Sequence, residues 1–551
     1  MTRRLETTIV VAGAGPVGMA LAIDAAQRGV DVVVLEARQA GEPPSAKCNT
    51  VAARTLETFR RLGVADQVRA AGLPDDYPTD VIYCTSISGY ELTRVRQPSR
   101  LERPEPGFAD SDWATPEPVV RVSQLYLEPI LFRRLLEAPR ARVLNQTVVE
   151  GYEQDGGGVT AHCRASDGEE VLVRGRFLVG CDGGRSTIRR IMGVSLQGDT
   201  DLGRTRSSLI RAPALRALFA DRRPVWMSWV SNPRIRATVI AIDGEEVWLL
   251  HRSLGSRHKD FADLDFDQSI RDALGVGADF TWEVLNHEDW VGRRLVAERF
   301  RDGNVFIAGD AAHLWVPFAG YGMNAGVADA MSLSWMLCAV AKGWAPMSFL
   351  NAYEAERQPI TDQVSRLAIG KVLENTAALG SGPVTPTIEE AGPAGEALRA
   401  TLGSRLREIN LAQFAPAGLN FGYFYDRSPI IAYDGETAPA YDMGSVTPST
   451  VPGCRMPHFW IGPDRSVYDA LGPDYTLVRF QPDVDVGPLI AAAEADRLPL
   501  TLLDVTAPDA PDVFRHPLLI VRSDQTVAWR GPAPPLDPAA LVDRLRGVVA
   551  G

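Results

Sequence analysis

The chain has 551 residues, a formal net charge of −12 and 45% hydrophobic residues, the balance of a globular protein long enough for three or four structural units. Arg and Lys are scattered rather than blocked, so the acidic balance argues against non-specific nucleic-acid binding, and no apolar run approaches the ~18 residues of a membrane span. Six cysteines, at 48, 84, 163, 181, 338 and 454, form no CxxC pair, and the seven histidines show no ligand spacing, which gives no support to a metal site or a dithiol centre.

Met1-Thr2-Arg3-Arg4 runs straight into the first strand, leaving no room for a signal peptide and predicting a cytoplasmic protein. Thr8 to Ala37 then reads as a β-α-β unit. The continuous apolar run Thr8-Ile9-Val10-Val11-Ala12 suits a buried parallel strand. Gly13-Ala14-Gly15-Pro16-Val17-Gly18 follows at once. Gly13 allows a tight turn, Gly15 lets backbone approach a pyrophosphate, and Gly18 lets the helix lie close to the strand. The helix start offers free N–H groups and the positive end of its dipole to phosphate. Glu36 ends the second strand, 18 residues beyond Gly18, where a carboxylate accepts hydrogen bonds from an adenosine ribose. It would repel a 2′-phosphate, so FAD or NAD suits this site better than NADP.

Beyond Glu36 come a polar loop to Ser45 and the segment from Lys47 into a helix ending near Gly63. Residues 73–120 are rich in Pro, Asp and Ser, with one strand at Asp80–Cys84. A helix over Arg121–Ala138 takes Ser123 as its N-cap. Val148–Arg176 alternates in strand fashion and leads into the buried strand Phe177–Gly180. Residues 191–290 predict a mostly antiparallel sheet, with a hairpin of Ile235–Ile242 and Val247–Leu250 around Asp243-Gly244. Trp226 and Trp229 fall on a preceding strand and Trp282 on a later one. These aromatics are either an ordinary sheet core or the wall of a flat-ring pocket. Phe306–Ala308 is a further buried strand. Helices follow over Gly326–Leu337 and Met347–Asn375, then a linker over Ala377–Ala394 and a helix over 395–413. From Asp434 a small α/β unit begins, with strands at Tyr475–Phe480, Leu498–Leu503 and Leu518–Val521 and helices at Val486–Ala495 and Pro538–Val548.

Two more motifs put an Asp in a strand-to-helix turn: Gly180-Cys181-Asp182-Gly183-Gly184-Arg185-Ser186, and Gly309-Asp310-Ala311-Ala312-His313 continuing through Pro317, Gly320, Gly322 and Asn324. Asp310 is placed to bond a ribityl hydroxyl, and the glycines let backbone N–H groups approach a flat polar ring. With these motifs in this order after the first fingerprint, the chain resembles, over essentially its whole length, the class A flavoprotein monooxygenases, the FAD-dependent aromatic hydroxylases. It looks most like the branch of phenol-type and polyketide-aromatic hydroxylases of secondary metabolism with a thioredoxin-like tail. The tail likeness rests on Pro452-Gly453-Cys454-Arg455-Met456-Pro457-His458 and on Val521–Arg530. It is one of fold, since the tail has no dithiol.

The resemblance implies an α/β fold with three parts. A Rossmann-like FAD-binding domain takes residues 1–80, 120–190 and 295–375, and an inserted antiparallel substrate-binding sheet takes 81–119 and 191–294. A linker and helix (376–433) lead to a thioredoxin-like domain (434–551). It also implies that Gly13, Gly15, Pro16, Val17, Gly18, Glu36 and Ala37 hold the ADP half of FAD, that Lys47 and Gln124 contact FAD, and that Asp182 and Gly183 serve FAD and NAD(P)H. Asp310 takes the ribityl chain, Pro317 lies beside the isoalloxazine, and backbone from Gly320 through Gly322 and Met323 to Asn324 binds its pyrimidine edge. Two positions depart from the family pattern: Lys47 stands where Arg is usual, losing the bidentate fork, and Ala319 replaces a Gly.

The implied reaction is NAD(P)H reduction of FAD, dioxygen uptake as a flavin hydroperoxide, and transfer of one oxygen to a phenol-like ring (a phenol, a pyridinol or a polyketide-derived ring). A single dinucleotide fingerprint fits resident FAD with NAD(P)H as a visiting co-substrate. Trp226, Trp248 and Phe318 are the candidate substrate contacts, for a fairly large apolar aromatic. Arg234, Arg236 and Arg252 keep a carboxylated ring open. No catalytic residue is assigned; His251, Tyr83 and Arg252 either assist phenol deprotonation or are ordinary sheet residues. The expected partners are the small aromatic and dioxygen, not nucleic acid or membrane, and a homo-oligomer is allowed. The alternatives are an FAD oxidase or dehydrogenase, or a Baeyer–Villiger oxygenase, on the same fold.

Overall fold

The computed structural model describes residues 2–44, 49–103, 105–254, 260–316, 320–380, 384–506, 510 and 512–548. At its centre lies a six-stranded sheet of Arg301–Asp302, Val305–Ile307, Phe177–Gly180, Ile9–Ala12, Val32–Leu35 and Ala141–Leu144, in that spatial order. It is parallel except for the short first strand. Four of the strands are buried along their whole length, as continuous apolar runs require when both sheet faces are covered.

Five helices frame the site: α1 (Pro16–Gln27), α2 (Gln124–Leu136), α3 (Tyr321–Ala341), α4 (Asn351–Leu379) and α5 (Pro393–Phe414). Ser123 caps α2, its hydroxyl accepting from the Leu125 N–H at 3.3 Å. Helix α3 begins before and ends after the expected Gly326–Leu337 span. It is buried nearly all round, so its sequence carries no polar stripe to mark its ends. The first strand was also hidden: Thr2–Glu6 pairs in parallel with Glu170–Gly175 in a separate four-stranded sheet, and its two arginines mask the strand pattern.

The inserted sheet has seven strands: β1 (Val81–Cys84), β2 (Glu91–Val95), β3 (Arg204–Arg211), β4 (Met227–Ser231), β5 (Arg236–Ala241), β6 (Val247–Ser253) and β7 (Glu283–Val291). Their spatial order is β7-β3-β6-β5-β4-β1-β2, antiparallel except for β4 and β1. The β5–β6 turn is the expected one: Gly244 has φ +80, and the Asp243 carboxylate accepts from the N–H groups of Glu245, Glu246 and Val247. Strand β2 was not expected, and Trp226 and Trp282 each stand one residue before a strand.

Register decides what each face of this sheet carries. Ser207, His251, Thr238, Trp229, Tyr83 and Thr93 are lateral neighbours, so their side chains share one face. Ser208, Leu250, Val239, Ser228 and Ile82 occupy the other. That second face packs on the helix Phe266–Leu274 and the turn Pro213–Phe219 as a closed apolar core. The first face meets α4 at β5 and α5 at β2. Arg236 reaches from it to the carbonyls of Leu379 and Gly380 at the end of α4 (3.0 and 2.7 Å), and Gly403 of α5 lies against Leu92 and Thr93.

The tail has the thioredoxin strand order: Leu500–Asp504, Tyr475–Arg479, Leu518–Arg522, Val527–Gly531, the first pair parallel and the others antiparallel. Its helices are Gly487–Ala495 and Pro538–Arg546. Burial pushes the Cys454 thiol up to about 11, which leaves it protonated and inert. The tail is seated on the flavin half by buried polar contacts. Trp335 Nε1 donates to Asp474 at 3.1 Å, and Arg522 meets Glu356 of α4 at 2.6 and 2.9 Å with both side chains 0% exposed. No helix among the described residues is long and apolar enough to cross a membrane.

Candidate cofactor and substrate site

Ala12, Leu35, Gly180 and Ile307 are register partners across the parallel sheet. The glycine turn, Glu36, the Asp182 turn and the Asp310 turn therefore leave one edge side by side, at the carboxyl ends of the strands, where open α/β sheets bind ligands. Their packing is steric. A Cβ on Gly13 would overlap the Cys181 carbonyl, and one on Gly18 the Gly13 carbonyl. Gly309 and Gly326 both lie beneath Val17, which joins the first and third motifs. In contrast, a Cβ on Gly15, Gly183 or Gly322 would meet nothing within 4 Å. These three open positions face a space bounded by glycine backbone. No side chain caps α1 at Gly15 or α3 at Gly320, so two helix starts with their dipoles lie at this space.

The polar groups along the edge are already ordered. The Glu36 carboxylate accepts from the Ala14 N–H at 2.6 Å and from Arg38 N and Nε at 2.8 and 3.1 Å. Arg38 also donates to Glu128 at 3.1 Å, and Gln124 donates to Glu128 at 2.5 Å, so Glu36 and Gln124 end one hydrogen-bonded chain. Burial pushes the Glu128 carboxyl up. Asp182 Oδ2 accepts from the N–H groups of Thr187 and Ile188 (2.7 and 3.1 Å), while its Oδ1 is buried without a partner. Ala37 and Asp310 are exposed. Asn324 spends its side chain on structure, accepting from Ala52 N and donating to the carbonyls of Thr50 and Gly320. Only its backbone is left for a ligand. Lys47, Pro317 and Phe318 lie outside the described residues.

Residues 6–368 match the FAD binding domain family. The chain belongs to the group A FAD-dependent aromatic hydroxylases. It is 30% identical to the FAD-dependent monooxygenase apdD of Emericella nidulans, over 95% of this chain and 87% of that one, and 27% identical to a Pseudomonas phenol 2-monooxygenase, over 99% and 93%. The rebeccamycin biosynthetic enzyme RebC, solved with reduced flavin, superposes with a TM-score of 0.89 at 32% identity, over 99% of this chain and 100% of that one. The orphaned Asp182 Oδ1, the three open glycines and the two uncapped helix starts fit the polar, elongated FAD that this family binds.

One part of the hydroxylase's cradle escaped the sequence reading. Asp329, 0% exposed, receives His313 Nε2 at 2.7 Å, Arg357 Nε at 2.9 Å and the Gly309 N–H at 3.2 Å. Burial alone would raise its carboxyl; His313 and Arg357 overcome that and hold it below the usual carboxylate range. The carboxylate thus fixes the Gly309–Asp310 turn from behind. Its signal was available: Asp329 is the only charged residue in the 21-residue helix α3.

The three substrate candidates part company. Trp226 lies under the Arg121 guanidinium (3.8 Å), and Arg121 donates to Thr50 Oγ1 and Gln97 Oε1. Thr50 lies against Gly320, so Trp226 adjoins the flavin loop. Trp248, in contrast, is on the closed face, 1% exposed and packed on Phe219; the expectation that it touches substrate is corrected by register. Phe318 is not described. On the helix-covered face Tyr83 and Trp229 stack at 6.0 Å and 16°, and Tyr83 Oη, Trp229 Nε1, Asn410 Oδ1 and Gln413 Oε1 are buried without partners. Ser207, Leu209, Trp229 and His251 are only half-buried on this face, so part of each side chain is open to contact. Gly292, just past β7, packs toward Val316, which joins that end of the face to the flavin loop.

Proposed function

We propose that this FAD-dependent monooxygenase hydroxylates a flat, uncharged, phenol-like aromatic of more than one ring, held between the Tyr83–Trp229 face and the flavin loop. The observation that carries the reading is the pairing of a stacked aromatic wall with partnerless polar atoms on the one sheet face that adjoins that loop. Such atoms cost about 1–3 kcal/mol each when buried and unbonded, and a hydroxylated ring returns the lost bonds. The arginines weigh against a carboxylated ring. Arg234 is paired with Asp272 and Glu389, Arg236 donates to the α4 carbonyls, and Arg252 sits on the closed face.

In this reading Gly13, Gly15, Pro16, Val17 and Gly18 present the α1 start to the FAD pyrophosphate, and Glu36 with Ala37 meets the ribose. Gln124 and Lys47 border the cofactor, and Asp310 takes a ribityl hydroxyl. Asp182 and Gly183 offer the free Oδ1 and an open backbone approach. Pro317 lies beside the flavin, and the N–H groups of Gly320 to Asn324 meet its polar edge. When bound, FAD supplies hydride acceptance from NAD(P)H and activation of dioxygen. The chain's part is to orient the ring, keep water out beneath α4 and α5, and hold the ring oxygen. Burial pushes the Tyr83 hydroxyl up, so Tyr83 donates rather than acts as a base. We place the enzyme in the cytoplasm, in keeping with cysteines that are free among the described residues.

The test is product formed per NAD(P)H oxidised, with oxygen uptake, for phenol, a carboxylated phenol and a bulky polyketide-like phenol. Tight coupling only with the bulky neutral phenol is expected. Tight coupling with the carboxylated ring overturns the substrate class. Oxygen uptake that needs no NAD(P)H overturns the monooxygenase cycle.

A further inference from the structure

The open sheet face carries one hydrogen-bonded relay that the reading above does not use. Trp290 Nε1 donates to Ser207 Oγ at 2.7 Å, and Ser207 Oγ lies 2.7 Å from His251 Nδ1. An indole N–H is a donor only, so its bond occupies a lone pair of Ser207 and leaves the hydroxyl hydrogen free. Among the described residues the one acceptor within its reach is His251 Nδ1. The direction of donation is therefore Trp290 to Ser207 to His251, which places the imidazole hydrogen on Nε2. The Trp290 ring stands edge-on to the imidazole (6.2 Å, 90°) and fixes its plane. Burial pushes the His251 pKa down to about 4, so the ring is neutral at working pH. Its Nε2 makes no hydrogen bond among the described residues, and the residue stays half-buried at the centre of the face. The other charged groups on this face include Glu288 on β7, Arg236 on β5 and, at its far end, Arg211 on β3, which pairs with Glu246 and Glu283. On α4, Lys371 and Glu374 pair with each other.

We propose that His251 Nε2–H binds the oxygen of the phenolic substrate and stabilises it as the phenolate, with Ser207 and Trp290 as positioning residues that fix the tautomer. The substrate O–H bond breaks, its proton leaves to solvent, its electron pair stays on oxygen, and no redox change occurs in this step. A neutral donor suits this task, since it does not give up its own proton, and the oxyanion feeds electron density into the ring carbons ortho and para to it. The inference rests on the phenol reading above.

The test uses holoenzyme with 2-naphthol, whose difference absorbance separates naphthol from naphtholate. Wild type is expected to lower the pKa of bound 2-naphthol by at least one unit. His251→Leu should retain FAD, bind the probe at least tenfold more weakly and lose the shift. Ser207→Ala should lose most of the shift with a smaller loss of affinity, and it carries the test if the leucine variant does not fold. Wild-type affinity and wild-type probe ionisation in both variants overturn the inference alone. Wild type that takes up none of phenol, 2-naphthol and 2-anthrol overturns the phenol reading and this inference with it.

Discussion

The cofactor edge and the substrate face are built by opposite means. At the edge most of what is offered to a ligand is backbone: glycine turns, two helix starts without a side-chain cap and strand ends set in register, with a few carboxylates such as Glu36, Asp182 and Asp310 beside them. Side chains such as Asp329 and Asn324 work behind them. On the sheet face the backbone is satisfied by its own ladder, and everything offered to a ligand is a side chain, much of it without a partner. A backbone site tolerates no bulk but keeps its shape when side chains vary. A side-chain site changes specificity by single substitutions. One chain can thus hold its cofactor constant while its substrate is retuned.

The largest test of that contrast is Asp329→Ala. It strands the buried Arg357 guanidinium, a loss of about 3–5 kcal/mol. Denaturant unfolding should show it, and FAD should be lost on gel filtration; wild-type stability with FAD retained would remove Asp329 from the cradle. On the sheet face, His251 predicts an acid weakness. Its folded pKa of about 4 lies below the unfolded value of about 6.5. The unfolded chain therefore binds the extra proton, and stability falls as pH drops from about 6.5 to about 4, by up to ~3 kcal/mol. His251→Gln should flatten that part of a pH series of unfolding midpoints; an unaltered slope would mean that the imidazole is not held neutral. Gly15→Ala comes next. The new methyl enters open space, so unfolding of the apoprotein should not change, while FAD affinity drops tenfold or more, about 1.4 kcal/mol. Fluorescence titration with FAD distinguishes this from simple misfolding. Tyr83→Phe removes a partnerless hydroxyl. It should leave stability equal or up to about 1 kcal/mol higher and weaken phenol binding; a clear loss of stability would reveal a protein partner. The smallest effect belongs to Cys454→Ser, where turnover should be unchanged, and a severe fall in flavin reduction would restore a redox role to the tail.

The same contrast explains what was legible in the sequence. Glycines are explicit: Gly13, Gly15 and Gly18 between apolar runs specify both the turn and its use, and the Asp182 and Asp310 turns follow the same grammar. The tail's alternating strands and helices could also be read, because their periods differ. Faces of the inserted sheet could not. Trp226, Trp229 and Trp248 look equivalent in composition, and only cross-strand register puts Trp229 on the same face as His251, two strands away, and Trp248 on the far side. A one-residue slip would exchange them. Ser207 and Trp290 stand 83 positions apart and meet only through that register. Asp329 was passed over because the helix around it reads as plain core.

The interleaving of the central sheet also sets a timetable for synthesis. Ile9–Ala12 is made first but takes its neighbour Phe177–Gly180 much later, and the edge is completed only with Val305–Ile307. About 300 residues separate the first and last of these strands, roughly 15–60 s of elongation at ~5–20 residues per second. Glu356 then waits for Arg522 to neutralise it. Through that interval the buried strand Ile9–Ala12 lacks its neighbour on one side, and the edge that would take FAD is incomplete.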